Sequence, residues 1–175
     1  MEDLGDDLGV TVYVYPLTHQ IVRETGDLLW RTLDRVNDFC REQGAEDTGR
    51  GLSKEIMAAQ MMEYPTTLLW VGTDDDLKLL GHAITTIRER DTRRWVEVTQ
   101  LERLGKIPEE QIVEAFAEIE KWGASFGCDQ VRLATLCTIN GGKVVSSRGR
   151  LFEMKYGFKP WRLLMKKEIV NVPDE

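Results

Sequence analysis

Apolar and polar positions along this chain change period several times, and each change predicts an element. Val10-Thr-Val-Tyr-Val14 has the β-branched and aromatic content of a strand, closed by Pro16. From about Thr18 to Glu42, Ile21, Thr25, Leu28, Leu29, Val36, Phe39 and Cys40 recur at helical spacing. That pattern predicts a single amphipathic helix of about six turns. Gly44, Gly49 and Gly51 then predict a loop, and Ser53 the N-cap of a shorter helix reaching to about Glu63, stopped by Pro65. Its methionines, Met57, Met61 and Met62, read as core filler.

Three strand-like runs follow, Thr67 to Gly72, Leu79 to Arg88 and Arg93 to Leu101. The separators, Asp74-Asp75-Asp76 and Glu89-Arg90-Asp91, are short and charged, which predicts antiparallel hairpins. Pro108 suits a first helical position, and Glu109 and Glu110 sit beside the positive end of the helix dipole. Ile112, Phe116, Ile119, Trp122 and Phe126 carry one apolar stripe up to Gly127. Val131 to Leu136 is the next strand, entered from a helix and therefore expected to run parallel to the strand before it. Asn140-Gly141-Gly142 reads as a turn, Val144 to Tyr156 as a helix ended by Gly157, and Trp161 to Ile169 as a last strand. The order predicts an α/β (α+β) fold: one domain over residues 1–175 with flexible ends at 1–9 and 172–175. Its mixed, mostly antiparallel sheet has about six strands and is flanked by about four helices.

Composition narrows the class. With 42% hydrophobic and 30% charged residues, the chain can bury a core without disulfides or a structural metal. No run approaches the length of a membrane span, and Met1 to Asp7 carries acids where a signal peptide would carry Lys or Arg. The expectation is a soluble, intracellular, cytoplasmic protein. Three cysteines, Cys40, Cys128 and Cys137, are too few and too scattered for zinc, so reduced thiols and no metal are expected.

The net charge of −7 argues against nonspecific nucleic-acid binding. It is unevenly spread: residues 141–169 carry eight Lys or Arg against Glu153 and Glu168, a balance of +6 on an otherwise acidic body. That segment suits an anionic ligand such as a phosphorylated cofactor, or an ordinary solvated surface.

The element order, the segment Glu109 to Leu136 and the ending Phe152-Glu-Met-Lys-Tyr-Gly-Phe-Lys-Pro-Trp-Arg-Leu-Leu-Met-Lys-Lys-Glu168 resemble the GNAT superfamily of acyl-CoA-dependent N-acetyltransferases. Leu79-Leu-Gly-His-Ala83 is similar to a glycine-bearing strand of that family, and Tyr156-Gly-Phe158 to its turn before a hydrophobic strand. The resemblance covers most of the chain. It implies a three-layer fold, acetyl-CoA as cosubstrate and an amine as acceptor.

In that family the pyrophosphate of acetyl-CoA sits on N–H groups opening the long central helix, where unpaired donors meet a positive dipole end. The resemblance thereby assigns cofactor contact to Gln100, Leu101, Arg103, Leu104, Gly105 and Lys106, and to Gly149 as the small residue of the later helix. The family loop has a second small residue where Ile107 stands here, Pro108 lacks an N–H, and Glu102, Glu109 and Glu110 add negative charge. The loop reads as a degenerate cradle. The family's general-acid tyrosine, four residues before the glycine, is replaced by Glu153, and Ser146 holds the family's asparagine position. Tyr156 is the nearby hydroxyl, on another face of that helix, and is a catalytic candidate with a packing alternative.

A base must take a proton from the amine. Glu97, between Val96 and Val98, is the first candidate, against a solvent-facing role in Trp95-Glu97-Thr99; His82 is the second, against a packed histidine. Two functions follow: an amine acetyltransferase, or a non-catalytic GNAT-like component of an assembly or homo-oligomer, with Trp30, Trp70, Trp95, Trp122 and Trp161 as interface anchors.

Overall fold

The computed structural model describes residues 11–42, 44, 46–59, 62, 64–133, 139–140, 143–144 and 154–158. The chain clusters into two compact units, Met1–Ala134 and Thr135–Glu175.

In the first unit, strands β1 (Tyr13–Pro16), β2 (Thr67–Thr73), β3 (Leu79–Arg90), β4 (Arg93–Arg103) and β5 (Val131–Leu133) form one sheet in the order β1-β2-β3-β4-β5. The first three pairings are antiparallel, and β4 pairs with β5 in parallel, as the hairpin separators and the helical crossover predict. The described sheet has five strands rather than about six; the predicted strand at 161–169 lies outside the described residues. β1 stands at the end of the strand order among the described residues and includes Pro16, which pairs with Trp70 where a missing N–H need not break the ladder.

Helices α1 (His19–Glu24), α2 (Leu28–Glu42) and α3 (Glu46–Ala59) connect β1 to β2. The single helix predicted over Thr18–Glu42 is two, because Gly26 adopts φ +62° after Thr25 has capped α1. α3 corrects the reading of the next segment. It starts at Glu46 and runs through Gly49 and Gly51, so Ser53 is internal and its Oγ donates to Asn37 Oδ1 on α2 at 3.2 Å. Glycine weakens a helix without forbidding it, and the buried Ile56 holds this one in place.

Leu28, Leu29, Leu33 and Val36 of α2 and Ile56 of α3 pack with Leu17 on Leu69, Val71 and Ile84, which share one sheet face. α4 (Glu109–Ser125) covers the other face, where Val96 lies against Gly123 so closely that a Cβ on that glycine would stand 2.3 Å from Val96 Cγ2. The result is the expected three layers. All seven residues of β2 are buried, as a strand covered on both faces requires.

In the second unit, β6 (Ile139–Asn140) pairs antiparallel with β7 (Lys143–Val144), so Asn140 faces Lys143 across the predicted turn. Val144 is therefore in a strand rather than at the start of a helix. Residues 154–156 are helical and Gly157 has φ +68°, the left-handed stop its sequence position predicts.

Candidate functional site

Strand β4 carries four of the predicted site residues, Glu97, Gln100, Leu101 and Arg103, and one irregularity decides where they point. Ile84 pairs with Gln100 and Thr85 with Val98, so Thr99 is an extra residue on β4, a bulge whose Oγ1 donates to Ile84 O at 3.3 Å. Alternation restarts beyond it. Glu97, Gln100 and Glu102 consequently share the face covered by α2, while Val96, Val98, Leu101 and Arg103 lie on the α4 face.

Glu97 is half-buried and accepts from Arg88 Nε at 2.9 Å. Its register partners are Thr86 and, across the parallel pairing, Arg132, whose guanidinium lies 4.0 Å from the Trp95 ring centroid. Glu97 is thus a reachable carboxylate among cations and an aromatic face.

His82 lies on the same face of β3, but under α2 and fully enclosed. Its Nδ1 is 3.5 Å from Glu102 Oε2 and its ring meets Phe39 edge-on. Burial pushes its pKa down to about 4, against the pull of Glu102, so it is neutral near pH 7. Gln100 is buried too, with its Oε1 4.0 Å from Cys40 Sγ. Neither His82 nitrogen nor Gln100 Nε2 has a hydrogen-bond partner among the described residues.

Arg35 of α2, which sequence reasoning missed, organises this cluster. Its guanidinium binds Glu102 through both oxygens and reaches Glu42 at 2.9 Å. Glu102 is therefore neutralised beneath α2 rather than set against an anion at the loop, which removes one of the three acids that the sequence places there. The available signal was a charge between Leu33 and Val36, beside the apolar stripe.

The β4–α4 loop holds Leu104, Gly105 and Lys106. The N–H groups of Leu104 and Gly105 both donate to Leu80 O, at 2.8 and 2.9 Å. Arg103 folds back, its Nε donating to Gly105 O at 2.9 Å and its Nη2 to Ile107 O at 3.2 Å. Ile107 sits over two glycines: a Cβ on Gly72 or Gly81 would lie 2.9 or 3.0 Å from its Cδ1. Pro108 precedes α4 without a side-chain cap. In this arrangement the loop does not fit a pyrophosphate, because two amide donors and one guanidinium are already committed. Lys106, Leu101 and Leu104 are exposed at this end.

Tyr156, half-buried in the helical turn before Gly157, belongs to the second unit, and Gly149 lies outside the described residues. Among the described residues no group of three or more His, Cys, Asp or Glu could hold a metal ion, and no helix is long and apolar enough to cross a membrane.

The sheet order, the parallel β4–β5 pairing across α4 and the β4 bulge can be compared with known folds. No protein-family model matches the sequence, and no curated protein matches it. Solved structures do match. AAC(6')-Iy in complex with the bisubstrate analogue CoA-S-monomethyl-acetylneamine superposes with a TM-score of 0.58 at 14% identity, covering 91% of this chain and 99% of that one. The chain has the GNAT acetyltransferase fold. Glucosamine-6-phosphate N-acetyltransferase from Arabidopsis thaliana superposes at 0.54, with 13% identity over 91% of this chain and 99% of its own. The aminoglycoside 6'-N-acetyltransferase AAC(6')-Ih from Acinetobacter baumannii does so at 0.55, with 14% identity over 92% and 100%. The GNAT likeness thus extends over nine-tenths of the chain at identities where only the fold is shared.

Proposed function

We propose that this chain is a GNAT-type N-acyltransferase that moves an acetyl group from acetyl-CoA to an amine. The observation that carries the reading is the fold likeness over nine-tenths of the chain to acetyltransferases, one of them holding CoA and an acceptor joined in a single ligand. Acetyl-CoA supplies the acyl group as a thioester: the amine nitrogen bonds to the carbonyl carbon, the C–S bond breaks, and CoA leaves as a thiol once its sulfur takes up the second proton lost by the nitrogen. Glu97 supplies the proton chemistry: an ammonium acceptor must lose a proton before its lone pair is nucleophilic, and a half-buried carboxylate can hold the cation and take that proton. The ion pair with Arg88 orients the carboxylate. Glu97 is preferred to His82 because a fully enclosed ring does not reach a substrate. The amines acted on by neighbours of this fold, aminoglycosides and glucosamine-6-phosphate, set the first acceptors to try.

The commitment of the Leu104 and Gly105 amides to Leu80 favours a second reading, a non-catalytic GNAT-fold component that binds a protein partner. Titration with acetyl-CoA separates the two. A ligand that binds only the native state stabilises it by about 2.7 kcal/mol at a hundredfold excess over Kd. The enzyme reading expects a melting temperature raised by several degrees and a measurable heat of binding; neither effect at millimolar acetyl-CoA, in this chain or in folded variants whose Leu104 and Gly105 amides are loosened from Leu80, removes it.

A further inference from the structure

We infer that residues 103–108 form a closed strap over the end of β4, and that this strap must open before the chain can take an anionic acyl donor. The inference rests on the acyltransferase reading above. Three independent contacts close the strap. Leu80 O accepts from two successive amides, Leu104 and Gly105, which point inward at the β3 backbone. The Arg103 side chain turns back on the strap and satisfies the carbonyls of Gly105 and Ile107. Ile107 acts as the plug, seated in a notch that exists only because positions 72 and 81 lack side chains.

Opening changes the chemistry of the segment. Two adjacent N–H groups released from one carbonyl make a concave anion site of the kind successive backbone amides form. Lys106 follows them directly, and the uncapped start of α4 lies beyond Pro108. The closed form spends these donors internally and lacks the cradle. Because the donors are the same in both forms, strap closure and anion binding compete, and the observed affinity is lowered by the fraction of chains that are closed.

Two substitutions loosen the plug from opposite sides. Ile107→Ala removes it. Gly72→Ala leaves the strap sequence intact and places a methyl group 2.9 Å from Ile107 Cδ1, the movable end of a flexible side chain. Acetyl-CoA titrated into the full-length chain and each variant, with melting temperature as the fold control, should bind at least fivefold tighter to both variants. Amide hydrogen exchange at Leu104 and Gly105 should quicken about tenfold or more in the ligand-free variants. Equal or weaker binding by folded variants, with a wild type that binds, overturns the strap and leaves the acyltransferase reading standing. Absence of binding in all three proteins overturns both. Binding by the variants alone upholds the strap and explains a silent wild type. If one variant does not fold, the other decides.

Discussion

Arg35 on α2 and Glu102 near the end of β4 are joined by two charge-assisted hydrogen bonds, one of them Nε to Oε2 at 2.8 Å. The carboxylate is only 11% exposed, so that guanidinium is the cation that compensates it beneath α2. Pairing holds the Arg35 guanidinium above its ordinary pKa and Glu42 below the usual carboxylate range. The pair ties a helix from one end of the chain to the strand that leads into the strap. Arg35→Met should leave Glu102 buried and uncompensated, costing about 2–4 kcal/mol in urea unfolding at pH 7. The double variant Arg35→Met/Glu102→Leu should recover at least half of that loss, because it removes the orphaned charge. If the double variant is as unstable as the sum of the singles, the two residues do not act as a pair.

His82 makes stability depend on pH in a defined window. Its folded pKa of about 4 lies below the roughly 6.5 of an unfolded histidine. Between those values the unfolded chain binds more protons than the folded one, so the linkage relation makes stability rise with pH. The contribution is complete above about 6.5 and is lost as pH falls toward 4, amounting to about 3 kcal/mol. The groups facing the ring are Glu102 on β4 and Arg35 and Phe39 on α2. His82→Leu should flatten the pH dependence of urea midpoints between pH 7 and pH 4.5 and leave stability at pH 7 unchanged or higher, since two unpartnered nitrogens are removed. An unaltered slope would assign that pH dependence to other groups.

Glu97 is the residue on which the proposed chemistry depends. Glu97→Gln keeps the size and the hydrogen bond from Arg88 and removes the proton acceptor. With aminoglycosides or glucosamine-6-phosphate as acceptors, release of the CoA thiol should fall about a hundredfold or more, in the range expected for loss of a general base. The melting temperature should move by no more than a degree or two, because the side chain is 39% exposed. Turnover retained within threefold would remove Glu97 from the mechanism.

The strand ladder was readable from the sequence because β-branched runs broken by charged turns leave few alternative pairings. The Arg90–Arg93 hairpin illustrates this: its two-residue loop begins at Asp91, whose φ of +59° suits an aspartate. Glu97 and His82 were recognisable as titratable residues on strands, but their surroundings were not. Strand alternation alone puts Glu97 and Gln100 on opposite faces, and the Thr99 bulge, which has no local signal, returns them to one. The charge at Arg35 stood out beside the apolar stripe, but its partner, 67 positions away in sequence, did not. The loop composition showed Ile107 and Pro108 where the resemblance expects a small residue and an N–H donor. What it could not give was Leu80, whose contribution is a backbone carbonyl and so independent of side-chain identity.

Two glycines test the helix boundaries by the sign of the effect. Gly26 has φ +62°, with open space where a Cβ would stand, so Gly26→Ala is governed by backbone strain alone. It should destabilise the protein by about 1–2 kcal/mol, the cost of a left-handed conformation for an L-residue. Gly51 is exposed within α3 and also has open space at its Cβ position, without a positive φ. Gly51→Ala should therefore stabilise by about 0.5–1 kcal/mol, through helix propensity and a less mobile unfolded chain. Urea midpoints of the two variants should thus move in opposite directions. Had residues 18–42 formed one continuous helix, Gly26→Ala would also stabilise; had residues 44–51 been a loop, Gly51→Ala would gain nothing from helix propensity. A rise for Gly26→Ala would restore the single long helix, and with it a different placement of Arg35 relative to Glu102.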